Sequence, residues 1–151
     1  MSEPASVIEQ LRAGVQTTGP EETRALGKAL APLLPADTVL ALHGDLGTGK
    51  TTFIGGLAAG LGITRPVTSP TYNIYNLYRG QRQLIHLDAY RLEQAGETDG
   101  LMLEDLLESP WLLAVEWPER FDPAWLSRAW RLRFTFESDT IRHIRLESGD
   151  A

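Results

Sequence analysis

Thr38-Val39-Leu40-Ala41-Leu42-His43-Gly44-Asp45-Leu46-Gly47-Thr48-Gly49-Lys50-Thr51-Thr52 passes from an apolar stretch into a glycine-rich turn. The apolar part is short and bounded by Asp37 and by His43-Gly44, which suits a strand buried on both faces of a parallel sheet. Gly44 to Thr51 fits the pattern G-x-x-x-x-G-K-[ST] at every position. Holding phosphate explains these residue types. Glycines let the backbone curl until successive N–H groups point inward at phosphate oxygens, where a Cβ would block approach. Lys50 sets a point charge near the β- and γ-phosphates. Thr51 opens the following helix, where its hydroxyl can coordinate Mg²⁺ and the dipole favours an anion. Asp45, Leu46, Gly47, Thr48, Gly49, Lys50, Thr51 and Thr52 are therefore the expected nucleotide-binding residues. A chance glycine-rich turn is the alternative, and the flanking strand and helix patterns argue against it.

Upstream of the loop, Gly19-Pro20-Glu21-Glu22 reads as a helix start. Ala25, Leu26, Ala29, Leu30 and Leu33 then recur at helical spacing as far as Pro35, giving about four turns. Before that, Val7, Ile8 and Leu11 form either one short helical turn or part of a loose arm over residues 1–15. The ATPase-like domain is expected over 16–148, with a tail at 149–151.

Downstream, Phe53, Ile54, Leu57, Ala58 and Leu61 predict a helix. Gly55 and Gly56 weaken it by roughly 1 kcal/mol each relative to Ala, as if a neighbour must come close. Tyr72 to Tyr78 and Gln83 to Asp88 predict strands about an Arg79-Gly80-Gln81 turn. Leu101 to Leu107 predicts a short acidic helix, and Trp111 to Glu116 a buried strand ended by Pro118. Trp130 to Phe136 and Ile141 to Leu146 flank Ser138-Asp139 as a terminal hairpin. The expected class is α/β: one P-loop NTPase-like domain, its mixed, mostly parallel sheet flanked by helices and ending in a β-hairpin.

The chain has 151 residues, 42% hydrophobic and 23% charged, which is ordinary for one globular domain. It has no cysteine, which excludes a disulfide, a thiolate zinc site, a cysteine nucleophile and an iron–sulfur cluster. A formal charge of −6 makes it a poor non-specific binder of nucleic acid. No membrane-length apolar run and no signal-peptide pattern is present, so a cytoplasmic protein without a membrane partner is expected.

Hydrolysis needs a carboxylate near the metal and a means of orienting water. Two apolar strands end in an acid, Leu84 to Asp88 and Leu112 to Glu116. Ligands in open α/β sheets sit beyond the carboxyl ends of parallel strands. Glu116 is thus placed to hold the metal with Thr51, and Asp88 to join the metal shell or orient water. The plain alternative for either acid is a solvated strand end or a helix cap. Guanine-specific N-K-x-D is absent, since Lys28 and Lys50 are the only lysines. Neither D-x-x-G nor L-S-G-G-Q occurs. A small-molecule kinase and a non-catalytic nucleotide-binding adaptor remain as rivals to an ATPase.

GDLGTGKTT (Gly44 to Thr52), SPTY (Ser69 to Tyr72), HLDAYRL (His86 to Leu92) and VEWPER (Val115 to Arg120) resemble the TsaE family, also called YjeE, in order and over nearly the whole chain. The terminal R-x-I at Arg142 to Ile144 fits as well. This resemblance implies a weak Mg²⁺-dependent ATPase needed to make threonylcarbamoyladenosine in tRNA. It implies TsaD and TsaB as partners: TsaD transfers the threonylcarbamoyl group, TsaB scaffolds it, and ATP hydrolysis by the TsaE subunit resets the pair. It implies contact with tRNA only through that complex. By motif, Lys50, Asp88 and Glu116 become the catalytic residues, Thr51 and Glu116 the metal residues, and Ser69, Pro70, Thr71 and Tyr72 a switch-like segment near the γ-phosphate. Two departures stand out: Thr48 where Ala is usual, and Ala89 where Leu is usual.

Other residues have two readings. Trp117 either shields the site or meets a partner, or simply packs at a strand end. Arg91 and Arg142 either neutralise phosphate or form surface ion pairs. His86 on an apolar strand reads as a satisfied core histidine, and His43 as a shaper of the loop. Glu104, Asp105 and Glu108 read as a solvated helix face, Trp111, Trp125 and Trp130 as core or interface bulk. Glu21 to Thr23 is the candidate neighbourhood for adenine.

Overall fold

In the computed structural model, which describes residues 6–45, 47–68, 74–91 and 102–149, the strand of the opening stretch lies at the centre of a seven-stranded sheet. In chain order the elements are α1 (Val7–Ala13), β1 (Val15–Thr17), α2 (Pro20–Leu30), β2 (Thr38–His43), α3 (Lys50–Gly60) and β3 (Tyr75–Arg79). Next come β4 (Gln83–Asp88), α4 (Leu103–Leu106), β5 (Trp111–Glu116), β6 (Trp130–Phe136) and β7 (Arg142–Ser148). The sheet order is β1-β7-β6-β2-β5-β4-β3. Its inner run β6-β2-β5-β4 is parallel, and the antiparallel pairings β1/β7, β7/β6 and β4/β3 close the two sides. The expected mixed α/β sheet with its terminal hairpin is what forms.

Alternation along β2 shows why the central strand is apolar throughout. Leu40 and Leu42 enter one core with Phe53, Ile54 and Leu57 of α3, while Val39 and Ala41 enter a second core with Phe121 and Leu126. Both faces are covered, so both phases of the strand must be apolar.

α2 ends one turn earlier than the periodicity predicts and passes into a 3₁₀ turn at Ala31–Leu33. Pro32 has no N–H to return to the carbonyl four residues back, so the α-helical ladder stops there. β3 begins at Tyr75 and β7 at Arg142, later than the expected strands; Tyr72 and Asn73 lie outside the described residues.

The loose-arm reading of 1–15 is corrected from Ser6 onward. Ser6 caps α1 by accepting the Glu9 N–H at 3.2 Å, and Leu11 is fully buried in the first core. Val15 to Thr17 then pair with Ile144 to Arg142. The segment is ordered because Val7, Ile8 and Leu11 have an apolar surface to cover.

α2 and α3 lie against each other on the same face of the sheet, backbone close to backbone. A Cβ on Gly56 would run into the carbonyl oxygen of Arg24, and one on Gly27 into that of Phe53. Gly56 is therefore the close approach expected of the glycine pair, whereas a Cβ on Gly55 would meet no described atom within 4 Å. Opposite signs follow. Gly56→Ala should destabilise the fold by about 1–3 kcal/mol through overpacking. Gly55→Ala should stabilise it by up to about 1 kcal/mol through helix propensity alone. Urea unfolding midpoints at unchanged slope read both, and equal effects would refute the packing difference.

Candidate nucleotide and metal site

α3 starts at Lys50 itself, so the glycine-rich turn delivers its last residues directly to a helix N-terminus. The turn requires glycine for conformation and for space. Gly49 caps the helix at φ +101, and Gly44, at φ +148, would bring a Cβ within 2.5 Å of the Phe134 carbonyl oxygen. Thr48, where the resemblance led to an expectation of Ala, has a partner of its own: its buried hydroxyl donates to the Asp45 carbonyl at 2.7 Å and clips the turn. Leu46 lies outside the described residues.

Lys50 is nearly completely buried. Its ammonium donates to the Gly44 carbonyl and lies 4.2 Å from the Trp117 ring centroid. Burial pulls this amine below the usual lysine range, opposed by the charges of Glu116, Glu119, Asp88 and Asp45. Trp117 thus packs on the loop lysine, from a backbone held at φ +57.

Parallel pairing sets the acids. Leu42 stands opposite Glu116, and Asp88 opposite Glu116 on the other side, so both carboxylates emerge at the end of the sheet where the loop begins. Glu116 is buried, and its Oε2 accepts from the Thr51 hydroxyl at 3.3 Å. Asp88 accepts the Tyr90 N–H through Oδ1 at 3.0 Å, and Ala89 behind it is fully buried. Among the described residues there is no cluster of three or more His, Cys, Asp or Glu that could enclose a metal. The donors here are instead one threonine hydroxyl and one or two carboxylates. That suits Mg²⁺, which takes few protein oxygens and completes its shell with phosphate and water.

The rim is polar and aromatic. Arg142 donates through Nε to the Gly47 carbonyl at 3.2 Å and covers the Phe136 ring at 4.3 Å. It belongs to the loop's surroundings, with no ion pair among the described residues. Tyr90 lies 5.1 Å from Trp117, and the Arg120 guanidinium lies 4.8 Å from the Tyr90 ring centroid. Beside the loop, a concavity of about 380 Å³ is lined by Thr18, Gly19, Pro20, Thr23, Gly47, Gly49 and Arg142, next to the segment expected to meet adenine.

Lys50, Thr51, Asp88, Glu116 and Trp117 therefore lie together at this end of the sheet. Ser69, Pro70, Thr71 and Tyr72 lie outside the described residues, as does the side chain of Arg91. The reading of His86 as a satisfied core histidine needs correction. The ring is fully buried, but its Nε2 stands 2.5 Å from Glu116 Oε2 and, among the described residues, its Nδ1 has no partner. The signal was present in the spacing: His86 and Asp88, two apart on a strand, share a face. His43 was likewise only half read. Arg131 reaches its Nε2 at 3.1 Å, and Glu119 lies 3.6 Å from its Nδ1.

The family model described as "Threonylcarbamoyl adenosine biosynthesis protein TsaE" matches residues 17–144. The chain belongs to the TsaE family. A curated relative, "tRNA threonylcarbamoyladenosine biosynthesis protein TsaE" of Bacillus subtilis (strain 168), is 46% identical over 103 residues, 68% of this chain and 64% of the relative. The chain thus spans less than two thirds of that relative's length. The protein of the same description from Streptomyces coelicolor is 38% identical over 129 residues, 80% of this chain and 86% of the relative. The crystal structure of Bacillus subtilis YdiB superposes with a TM-score of 0.69 at 34% identity, covering 88% of this chain and 82% of that one. The loop, both acids and the Trp117 cap all fall within the matched TsaE region.

Burial and the nearby Arg133 and Arg131 hold His43 below the ordinary imidazole value of 6.5, against the opposing pull of Glu119 and Glu147. As pH falls through 6.5 the unfolded chain takes up this proton first, so stability falls toward the lower folded value. One such group changes stability by at most about 1.4 kcal/mol per pH unit. His43→Gln should make the loss of urea resistance as pH falls through 6.5 shallower. An unchanged slope would remove His43 from the account.

Proposed function

We propose that the chain is a Mg²⁺-dependent ATPase subunit of the machinery that forms threonylcarbamoyladenosine in tRNA. In this reading it acts in the cytoplasm, binds the TsaD–TsaB transferase pair, and resets that pair by hydrolysing ATP. It meets tRNA only through the complex. The observation that carries the reading is the contact between Thr51, the first threonine after the loop lysine, and Glu116, the acid ending the neighbouring parallel strand. A hydroxyl and a carboxylate are thereby held together where the γ-phosphate end of a nucleotide would lie.

The residues divide the work. Backbone N–H groups from Asp45 to Thr52 cradle the phosphates, aided by the positive end of α3. Lys50 exchanges its contacts with Gly44 and Trp117 for phosphate oxygens, and desolvation strengthens its pull on them. Thr51 and Glu116 hold Mg²⁺, which when bound neutralises charge developing on the phosphates. Asp88, beside Glu116 in the sheet, orients the attacking water. Thr18 to Thr23 and the Arg142 guanidinium supply walls for adenine. Ser69 to Tyr72 sense the γ-phosphate, and Trp117 covers the lysine until the site is loaded. The triphosphate state engages the partners, and hydrolysis releases them by as much as the nucleotide's affinity differs between the two shapes.

Glu116→Ala should lower phosphate release by at least about 100-fold, since a bound metal supplies several kcal/mol of charge stabilisation. The same variant should keep its affinity for metal-free ATP, while Lys50→Ala should lose nucleotide affinity outright. Label from γ-labelled ATP should appear as free phosphate; its appearance on a metabolite would instead make the chain a kinase. Normal cellular tRNA modification in both Glu116→Ala and Asp88→Ala strains would reduce it to a non-catalytic adaptor.

A further inference from the structure

Neither phosphate binding nor the metal's own oxygen donors calls for a histidine on β4, yet His86 is fully buried there. It shares the α3-facing side of the sheet with Leu84 and Asp88, and its partner on β5 is Ala114. That small neighbour leaves the imidazole room to reach along the ladder to Glu116, one pleat further on, where Nε2 meets Oε2 at 2.5 Å. An ionised carboxylate can only accept, so the ring nitrogen is the donor. Among the described residues no partner reaches its other ring nitrogen, Nδ1.

We infer that His86 is a positioning residue: a buried imidazole whose Nε2 pins the Glu116 carboxylate against the Thr51 hydroxyl before metal arrives. This rests on the reading of Glu116 as the metal acid and adds the group that orients it. A carboxylate pre-oriented in this way has less rotamer freedom to lose when Mg²⁺ binds, and outer-shell partners of this kind are worth about 10–100-fold in metal affinity.

The test uses the full chain, Mg²⁺ and a non-hydrolysable ATP analogue, with calorimetry. His86→Phe fills the space without a donor; His86→Gln offers an amide N–H. The phenylalanine variant should need about 10–100-fold more Mg²⁺ for half-maximal enhancement of analogue binding, with metal-free affinity unchanged. The glutamine variant should recover most of that loss. A His86→Phe protein with the wild-type Mg²⁺ requirement overturns the inference and leaves the metal reading of Glu116 standing, as does a folded His86→Gln protein no better than His86→Phe. A wild-type chain whose analogue binding ignores Mg²⁺ overturns both. Ring-nitrogen chemical shifts of the isotopically labelled wild-type protein test the inference even if neither variant folds: Nε2 should carry a proton held in a hydrogen bond, and a bare Nε2 overturns it.

Discussion

The parallel pairing of β2 with β5, and of β5 with β4, carries the site. Leu42, Glu116 and Asp88 stand in one row across three strands, so the chain leaves the sheet into the phosphate loop at the level where both acids emerge. A slip of one residue would turn Glu116 to the opposite face and move a core valine into its place. The apolar sequences of both strands resist that slip, because each alternate residue is matched to a different core. Core packing is therefore also what holds the hydroxyl of Thr51 and the carboxylate of Glu116 within reach of each other.

A second layer of contacts stabilises that row from above. α2 lies close on α3 because glycines at 27, 56 and 60 remove the side chains that would separate their backbones. The N-terminus of α3 is thus set just beyond the end of β2. The buried Lys50 would be costly there were it not for the aromatic face of Trp117, the Gly44 carbonyl and several carboxylates nearby.

Local chemistry was legible in the sequence; side-chain geometry across strands was not. The glycine pattern, the lysine and the apolar runs predicted the loop and its flanking elements, since each depends on residues near in the chain. Strand ends in Asp88 and Glu116 also showed themselves, because an acid after an apolar run is a local signal. His86 was read as core from its apolar neighbours, since its bond to Glu116 depends on the β4/β5 register and on the size of Ala114. Arg131 reaching His43, and Trp117 folding back over Lys50, depend in the same way on neighbours distant in sequence. At the start of the chain the periodicity of Val7, Ile8 and Leu11 was too brief to choose between helix and arm. The apolar surface that chooses is built by β7, more than a hundred residues later.

The strand that feeds the phosphate loop has both its sheet neighbours, β5 and β6, far downstream in the chain. During synthesis the loop and its helix leave the ribosome long before either flanking strand, and closing such long-range pairings is slow. Until β5 arrives, Thr51 has no carboxylate beside it and β2 is an apolar ribbon with two bare edges. The nascent chain is consequently most prone to aggregate in the interval when its glycine-rich loop is already out in solution and the strands that cover β2 are not.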